Sequence, residues 1–120
     1  MYVQKIFQNC TGNEGSQSVL SDLNKRYEIF IVSAAVEFPQ SLLEKYEWLN
    51  EYFSFITWQQ IVFCGSKTIV EADIMIDDHF KNLDPFKGQT ILFSQPHNLL
   101  QHSSKHKRVD SWNEIADMLL

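Results

Sequence analysis

The sequence predicts an α/β fold in which a parallel β-sheet lies between two layers of helices. Two observations lead to this class: short apolar runs alternate with amphipathic helical segments, and small or acidic polar residues follow the ends of two of those runs. The 120 residues, 44% of them hydrophobic, suffice for one core, and no repeat, linker or low-complexity segment divides them. We therefore expect a single three-layer domain over residues 1–120.

Four apolar runs are predicted to be strands because they are short and rich in β-branched and aromatic residues. The run ending at Ser33 is apolar throughout, which is typical of a strand buried on both faces. Helical segments separate the runs, and strand–helix alternation implies parallel crossovers. The predicted strands are 28–33, 60–64, 74–76 and 90–93.

Helices are predicted from capping signals and from the 3.6-residue period of apolar positions. In the second helix the apolar residues recur at spacings of four, three and four, which predicts a buried stripe with Lys45 and three glutamates on the solvent side. The signals are Thr11 with Glu14 before a helix over about 12–26, Pro39 in the first turn of the second helix, and Ser111 with Glu114 before a last helix through Leu120.

Net charge and the lengths of the apolar runs exclude some classes of binding partner and of cellular location. Ten basic against fifteen acidic side chains give a net charge of −5, which argues against a nucleic-acid or anionic-membrane surface. No apolar run reaches the length of a membrane span, and residues 1–5 lack the apolar region of a secretory signal, so we expect a cytoplasmic protein. Cys10 and Cys64 are predicted to be reduced thiols rather than a disulfide or zinc ligands.

Three histidines near the C-terminus raise the question of a metal site. His102 and His106 are four residues apart, which is one helical turn, and His97 precedes them. The serines, lysines and arginine around them are more typical of an exposed polar loop, which is the prediction we adopt. The basic cluster at 105–108 is predicted to be solvated, with attraction of a nucleotide phosphate as the alternative.

A lysine and two carboxylates carry the clearest chemical signal. Lys67 stands ten residues before Asp77 and Asp78, which close the apolar run at 74–76. The C-terminal end of a buried parallel strand is where open α/β sheets hold ligands, so this pattern suggests a phosphate and a divalent cation. Taken singly, the acids are also compatible with an ordinary turn, Lys67 with a solvated loop, and Ser33 with a strand-end serine.

Four segments together, in order and spacing, resemble the bacterial 5'(3')-deoxyribonucleotidase-like proteins of the haloacid-dehalogenase superfamily. The resemblance implies a parallel-sheet core and hydrolysis of deoxynucleoside monophosphates with Mg²⁺ through an aspartyl-phosphate. The segments are Lys45-Tyr46-Glu47-Trp48-Leu49, Phe63-Cys64-Gly65-Ser66-Lys67, Ala72-Asp73-Ile74-Met75-Ile76-Asp77-Asp78 and Phe93-Ser94-Gln95-Pro96-His97-Asn98.

The same resemblance implies roles for individual residues. Ser33 and the backbone N–H of Ala34 would bind the phosphoryl group. Lys67 would neutralise the phosphoryl oxygens and the nucleophilic carboxylate. Asp78 would be the magnesium ligand, and Asp77 its partner, orienting Lys67 or a metal-bound water. His97 would shape the rim of the site.

One signature of that family is absent from these residues. Its central strand ends in Asp-x-Asp, and nothing before Ser33 matches, since Asp22 falls within a predicted amphipathic helix. The resemblance therefore implies an N-terminally incomplete domain that is inactive alone. Two classes follow: a shortened or interrupted nucleotidase, or a non-catalytic remnant or interaction protein that retains a weak phosphate and Mg²⁺ site.

The missing strand also implies a slot in the sheet between the strands ending at Ser33 and Asp77. The two neighbours could pair directly, or the slot could be filled by residues 2–7 or by a partner chain. We rank filling by residues 2–7 second. We therefore expect self-association, a missing N-terminal segment acting as partner, or marginal stability.

Overall fold

A computed structural model describes residues 2–5, 15–33, 40–66, 69, 71–101 and 105–120, with residues 2–5 described as backbone. The strands are β1 Tyr2–Lys5, β2 Glu28–Ser33, β3 Ile61–Phe63, β4 Ile74–Asp77, β5 Gln89–Phe93 and β6 Lys107–Val109. The helices are α1 Ser16–Arg26, α2 Gln40–Tyr52, the single turn α3 Phe80–Leu83, and α4 Trp112–Leu119.

The strands form one parallel sheet in the order β3-β2-β1-β4-β5-β6. This confirms the predicted α/β class and the four predicted strands. Strand β6 was not predicted, and β1 was considered only as one of three ways to fill the slot. Both are short, at four and three residues, and β6 consists mainly of basic residues, so neither carries a clear strand pattern.

Strand β1 occupies the centre of the sheet and corrects our ranking of what fills the slot. Its residues pair with β2 on one side and with β4 on the other, so that Lys5 lies level with both Ile31 and Ile76. The N-terminal segment, which we had ranked second, therefore fills the slot. Pairing on both sides satisfies backbone groups that an open slot would have left exposed.

Side chains alternate between the two faces of the sheet, which places hydrophobic clusters on both sides. Helices α1, α2 and α4 cover one face, where Trp112 and Phe53 are fully buried. The other face holds Met75 and Leu92 against α3, with a smaller cluster around Val32. Burial on both faces explains the continuous apolar runs at 29–32 in β2 and 74–76 in β4.

One of the predicted helix starts is confirmed, and the capping residues of the other two lie outside the described residues. Ser111 caps α4, because its Oγ accepts from the backbone N–H of Glu114 at 3.2 Å, which confirms that start. Helix α1 begins at Ser16 and α2 at Gln40, while Thr11, Glu14 and Pro39 lie outside the described residues. Among the described residues, no helix has both the length and the apolar content to cross a bilayer.

The prediction of an exposed loop around His106 is wrong. His106 is buried and hydrogen-bonds Thr90 Oγ1 through Nδ1 at 2.5 Å, and its Nε2 lies 2.7 Å from Asp84 Oδ1. The next residue opens β6, which pairs with β5. A histidine that satisfies both ring nitrogens can occupy a core position, and flanking charges hide this in the sequence.

Candidate active site

The register of the sheet brings two polar strand ends to the same level on either side of β1. Ser33 lies two residues beyond Ile31, and Asp78 lies two residues beyond Ile76, while both isoleucines are level with Lys5. Two strand spacings place the backbones of Ser33 and Asp78 roughly 10 Å apart. A separation of this size is compatible with a phosphoryl group and a metal ion held between the two strand ends.

Ser33 is paired with a lysine that the helical repeat of α2 predicts to face solvent. Ser33 is buried at the end of β2, and Lys45 Nζ donates to its Oγ at 3.0 Å. Lys45 is half-buried on α2 rather than exposed with the neighbouring glutamates. The pair combines a hydroxyl with an ammonium group, which is a suitable set for phosphate oxygens. Helical periodicity alone could not show that this lysine turns toward β2.

Asp77 stabilises the turn that follows β4. Its carboxylate is fully buried, and its Oδ1 accepts from the backbone N–H of Asp78 at 2.7 Å and of His79 at 3.3 Å. A carboxylate that accepts backbone N–H groups has a fixed orientation. Asp77 is therefore placed to hold the turn that presents Asp78.

Asp78 lies between two histidines. Its Oδ2 is 3.3 Å from His97 Nε2, and its Oδ1 is 3.7 Å from His79 Nε2. The two imidazole rings stack, with centroids 4.5 Å apart and an interplanar angle of 16°. The sequence-based prediction has His97 at the rim of the site and does not include His79. The run Asp77-Asp78-His79 was the signal available for it.

Asn98 holds the loop after β5 against the turn after β4. It is fully buried, and its Nδ2 donates to the carbonyl oxygens of Asp78 at 2.9 Å and Phe93 at 3.0 Å. Its Oδ1 accepts from the backbone N–H of Gln95 and from Arg108 Nη1, both at 3.1 Å. This network fixes the backbone on which His97 and Asp78 face each other.

Arg108 anchors the same loop from β6. Besides Asn98 Oδ1, its guanidinium donates to Ser94 Oγ at 2.9 Å and to the carbonyl oxygens of Asn98 and Gln101 at 3.1 and 2.7 Å. Our prediction that the basic cluster at 105–108 is solvated is therefore wrong for Arg108. Five donors in a planar fork suit it to hold several loop acceptors at once.

The residues present fit a magnesium ion in part. Mg²⁺ takes one or two carboxylates together with waters and substrate phosphate, and Asp78 at the strand end can supply one carboxylate. Asp77 is committed to backbone N–H groups, which suits an orienting role. Lys67 and Ala34, also predicted for the site, lie outside the described residues.

Comparison with known proteins identifies the family. The family model described as "5' nucleotidase, deoxy (Pyrimidine), cytosolic type C protein" matches residues 1–120. This chain belongs to that family. The deoxynucleotidase family lies within the haloacid-dehalogenase superfamily, so the resemblance inferred from the four sequence segments is confirmed.

Curated relatives carry names of the same kind. A protein of Bacillus subtilis (strain 168) named 5'(3')-deoxyribonucleotidase is 47% identical over 115 residues, covering 96% of this chain and 66% of the relative. A protein of Bacillus phage SPbeta with the same name matches equally. A putative 5'(3')-deoxyribonucleotidase of Staphylococcus epidermidis is 42% identical, covering 93% of this chain and 62% of the relative. The chain thus spans somewhat less than two thirds of the length of these deoxynucleotidase relatives.

Proposed function

We propose that this chain supplies the phosphate- and metal-binding part of a magnesium-dependent 5'(3')-deoxyribonucleotidase that acts on deoxynucleoside monophosphates. The observation that supports this is the pairing of Ser33 with Lys45 at one strand end, opposite the Asp77–Asp78 turn across β1. Family membership and the names of the relatives point to the same chemistry.

The groups divide the task of holding a phosphoryl group. Ser33 Oγ and Lys45 Nζ would donate to its oxygens, with Lys67 and the Ala34 N–H as further donors in this proposal. Mg²⁺ would neutralise developing negative charge when bound, and Asp78 would hold it. Asp77 keeps Asp78 in place through the strand-end turn.

We propose further that these 120 residues do not turn substrate over by themselves. Formation of an aspartyl-phosphate needs a carboxylate at the end of the central strand. The residues that follow β1 are Ile6-Phe7-Gln8-Asn9, which contain no carboxylate. Loss of the nucleophile from such a unit removes several powers of ten in rate, so binding would persist without hydrolysis.

Phosphate release from a deoxynucleoside 5'-monophosphate and from p-nitrophenyl phosphate tests this directly. We expect no release above background from the purified chain in Mg²⁺. Saturable turnover that disappears in both Asp78→Ala and Ser33→Ala proteins would overturn the proposed inactivity. Asp117→Ala is the matched control, because Asp117 is exposed on α4.

A chimera tests the nucleotidase assignment separately. We expect that joining a strand that ends in the family's Asp-x-Asp signature to this chain, as the central strand, restores magnesium-dependent hydrolysis. Hydrolysis should then fall sharply in Asp78→Asn and Lys67→Met and less in Ser33→Ala, because a neutral hydrogen bond contributes less than a charge or a metal ligand. A folded chimera that binds nucleotide without any hydrolysis would contradict the assignment.

The second candidate is a non-catalytic domain that binds phosphate weakly. The specific observation in its favour is that β1 completes the sheet without bringing the family's carboxylates. The folded but inactive chimera would support this candidate.

Partners and location remain predictions. The net charge of −5 still argues against nucleic acid and anionic membranes, and cell fractionation would test the expected cytoplasmic location. Self-association also stays a prediction. In the described sheet the outer strands β3 and β6 have three residues each, and short edges recruit other chains poorly.

A further inference from the structure

We propose that Asp78, His79 and His97 form a binding site for a divalent first-row transition-metal ion, with Zn²⁺ the best-fitting ion. One ligand atom from each residue can be chosen so that all three lie within 4.8 Å of one another. This site shares Asp78 with the proposed magnesium site, but it does not depend on nucleotidase activity, since its selectivity rests on two imidazoles that the phosphate site does not use.

The distances between the ligand atoms match a shared ion. Ligands about 2.0–2.1 Å from a tetrahedral Zn²⁺ are roughly 3.4 Å from one another. Asp78 Oδ2 lies 3.3 Å from His97 Nε2, and the other carboxylate oxygen, Oδ1, lies 3.7 Å from His79 Nε2. Both separations are close to the ligand spacing, so small side-chain shifts suffice to bring one oxygen and both nitrogens around one ion.

The two imidazoles can reach a shared ion after a side-chain rotation. The rings stack nearly parallel and each Nε2 faces its own oxygen of Asp78, so one ring must rotate before both nitrogens point to one ion. Two neighbouring imidazoles and a carboxylate then offer three ligands and leave further coordination positions open. Such a set is typical of zinc and of other first-row dications.

The backbone holds the three ligands before an ion arrives. Asp77 fixes the turn that carries Asp78 and His79, and Asn98 ties that turn to the loop that carries His97. Only side-chain rotation remains to be ordered on binding, which favours affinity. The His97 side chain is 45% exposed, so an ion can enter from solution.

The two imidazole nitrogens give this site a different metal preference from that of a magnesium site. Mg²⁺ prefers oxygen ligands in octahedral geometry, whereas imidazole suits Zn²⁺, Ni²⁺ and Cu²⁺, and affinity rises along the series toward copper. We therefore expect Zn²⁺ and Co²⁺ to bind in the presence of excess Mg²⁺. Removing a histidine should weaken the transition metals without changing any effect of Mg²⁺.

Calorimetry with Zn²⁺ and visible absorption with Co²⁺ test the site in the full chain. We expect one ion per chain, Co²⁺ absorption typical of mixed nitrogen and oxygen ligands, and a loss of Zn²⁺ affinity of at least about tenfold in His79→Gln and in His97→Gln. His106→Gln is the matched control and should bind Zn²⁺ like the parent chain, because His106 bonds Thr90 and Asp84 elsewhere.

A measurement without substitutions guards against variants that fail to fold. Paramagnetic Co²⁺ should broaden the imidazole NMR signals of His79 and His97 first, before those of His102 and His106. Zn²⁺ affinity unchanged in both histidine variants, or broadening that begins at His102 or His106, would overturn the proposal. If these results hold and the nucleotidase chimera fails, the metal site stands and the proposed function falls.

Discussion

Replacing Asn98 with alanine is expected to lower the free energy of unfolding by about 2–4 kcal/mol. Asn98 is fully buried and makes four side-chain hydrogen bonds, two as donor and two as acceptor. At a net value of about 1 kcal/mol each the loss is about 4 kcal/mol, and water entering the space recovers part of it. A domain of this size has a total stability of roughly 6–18 kcal/mol, so the change is large.

Urea unfolding followed by circular dichroism measures this change. The midpoint should fall with an unchanged slope, because the surface exposed on unfolding stays the same. Asn50→Ala is the matched control: Asn50 is exposed on α2 and should change stability by less than about 0.5 kcal/mol. Equal midpoints for Asn98→Ala and Asn50→Ala would refute the assigned network.

Asn98→Asp separates the donor bonds from the acceptor bonds. Aspartate can still accept from Gln95 and Arg108, but it places an oxygen against the carbonyl oxygens of Asp78 and Phe93. We expect this variant to be destabilised as well, despite the new ion pair with Arg108, because one buried and one partly buried carbonyl oxygen lose their donor. Parent-like stability of Asn98→Asp would show that the two donor bonds contribute nothing.

Three further substitutions test the fold. Gly88→Ala should lower the free energy of unfolding by more than about 2 kcal/mol, because the added Cβ would overlap a backbone carbonyl oxygen. Gly65→Ala is the control and should be neutral, because its Cβ would meet nothing within 4 Å. Equal urea midpoints for the two variants would contradict this. Thr90→Val should cost about 1–2 kcal/mol by leaving buried His106 without its hydroxyl partner, and an unchanged melting temperature would exclude that bond. Gln4→Pro should prevent cooperative folding if β1 pairs on both sides, while a parent-like unfolding curve would mean that β1 is not a central strand.

The sequence predicted those parts of the fold whose signal is local. The apolar runs of β2, β4 and β5 and the Ser111 cap of α4 each carry a strong pattern within a few residues, and all are confirmed. Strand β1 owes its place to pairing with β2 and β4, which are distant in sequence. Its four residues have no pattern that ranks this outcome over the alternatives.

Part of the candidate site could also be predicted from local sequence, and part of it depends on packing. Ser33 and the Asp77–Asp78 pair could be placed at strand ends because a parallel sheet gathers those ends at one edge. The role of Lys45 could not be predicted, because its position in the helical repeat predicts an exposed side chain. Only the approach of α2 to β2 brings its ammonium group to Ser33. The stacking of His79 on His97 depends on the Asn98 network, which joins residues about twenty positions apart.

Binding of a deoxynucleoside 5'-monophosphate by the purified chain tests the central claim most directly. Calorimetry in Mg²⁺ with dTMP, and with thymidine as the ligand that lacks phosphate, isolates the contribution of the phosphoryl group. We expect dTMP to bind, thymidine not to bind detectably, and Lys45→Met to weaken dTMP by about 10- to 150-fold, the value of one charge-assisted hydrogen bond. Lys87→Met, at an exposed position in the turn before β5, should bind dTMP like the parent chain. Equal binding of dTMP and thymidine, or full affinity in Lys45→Met, would contradict a phosphate site at Ser33 and Lys45.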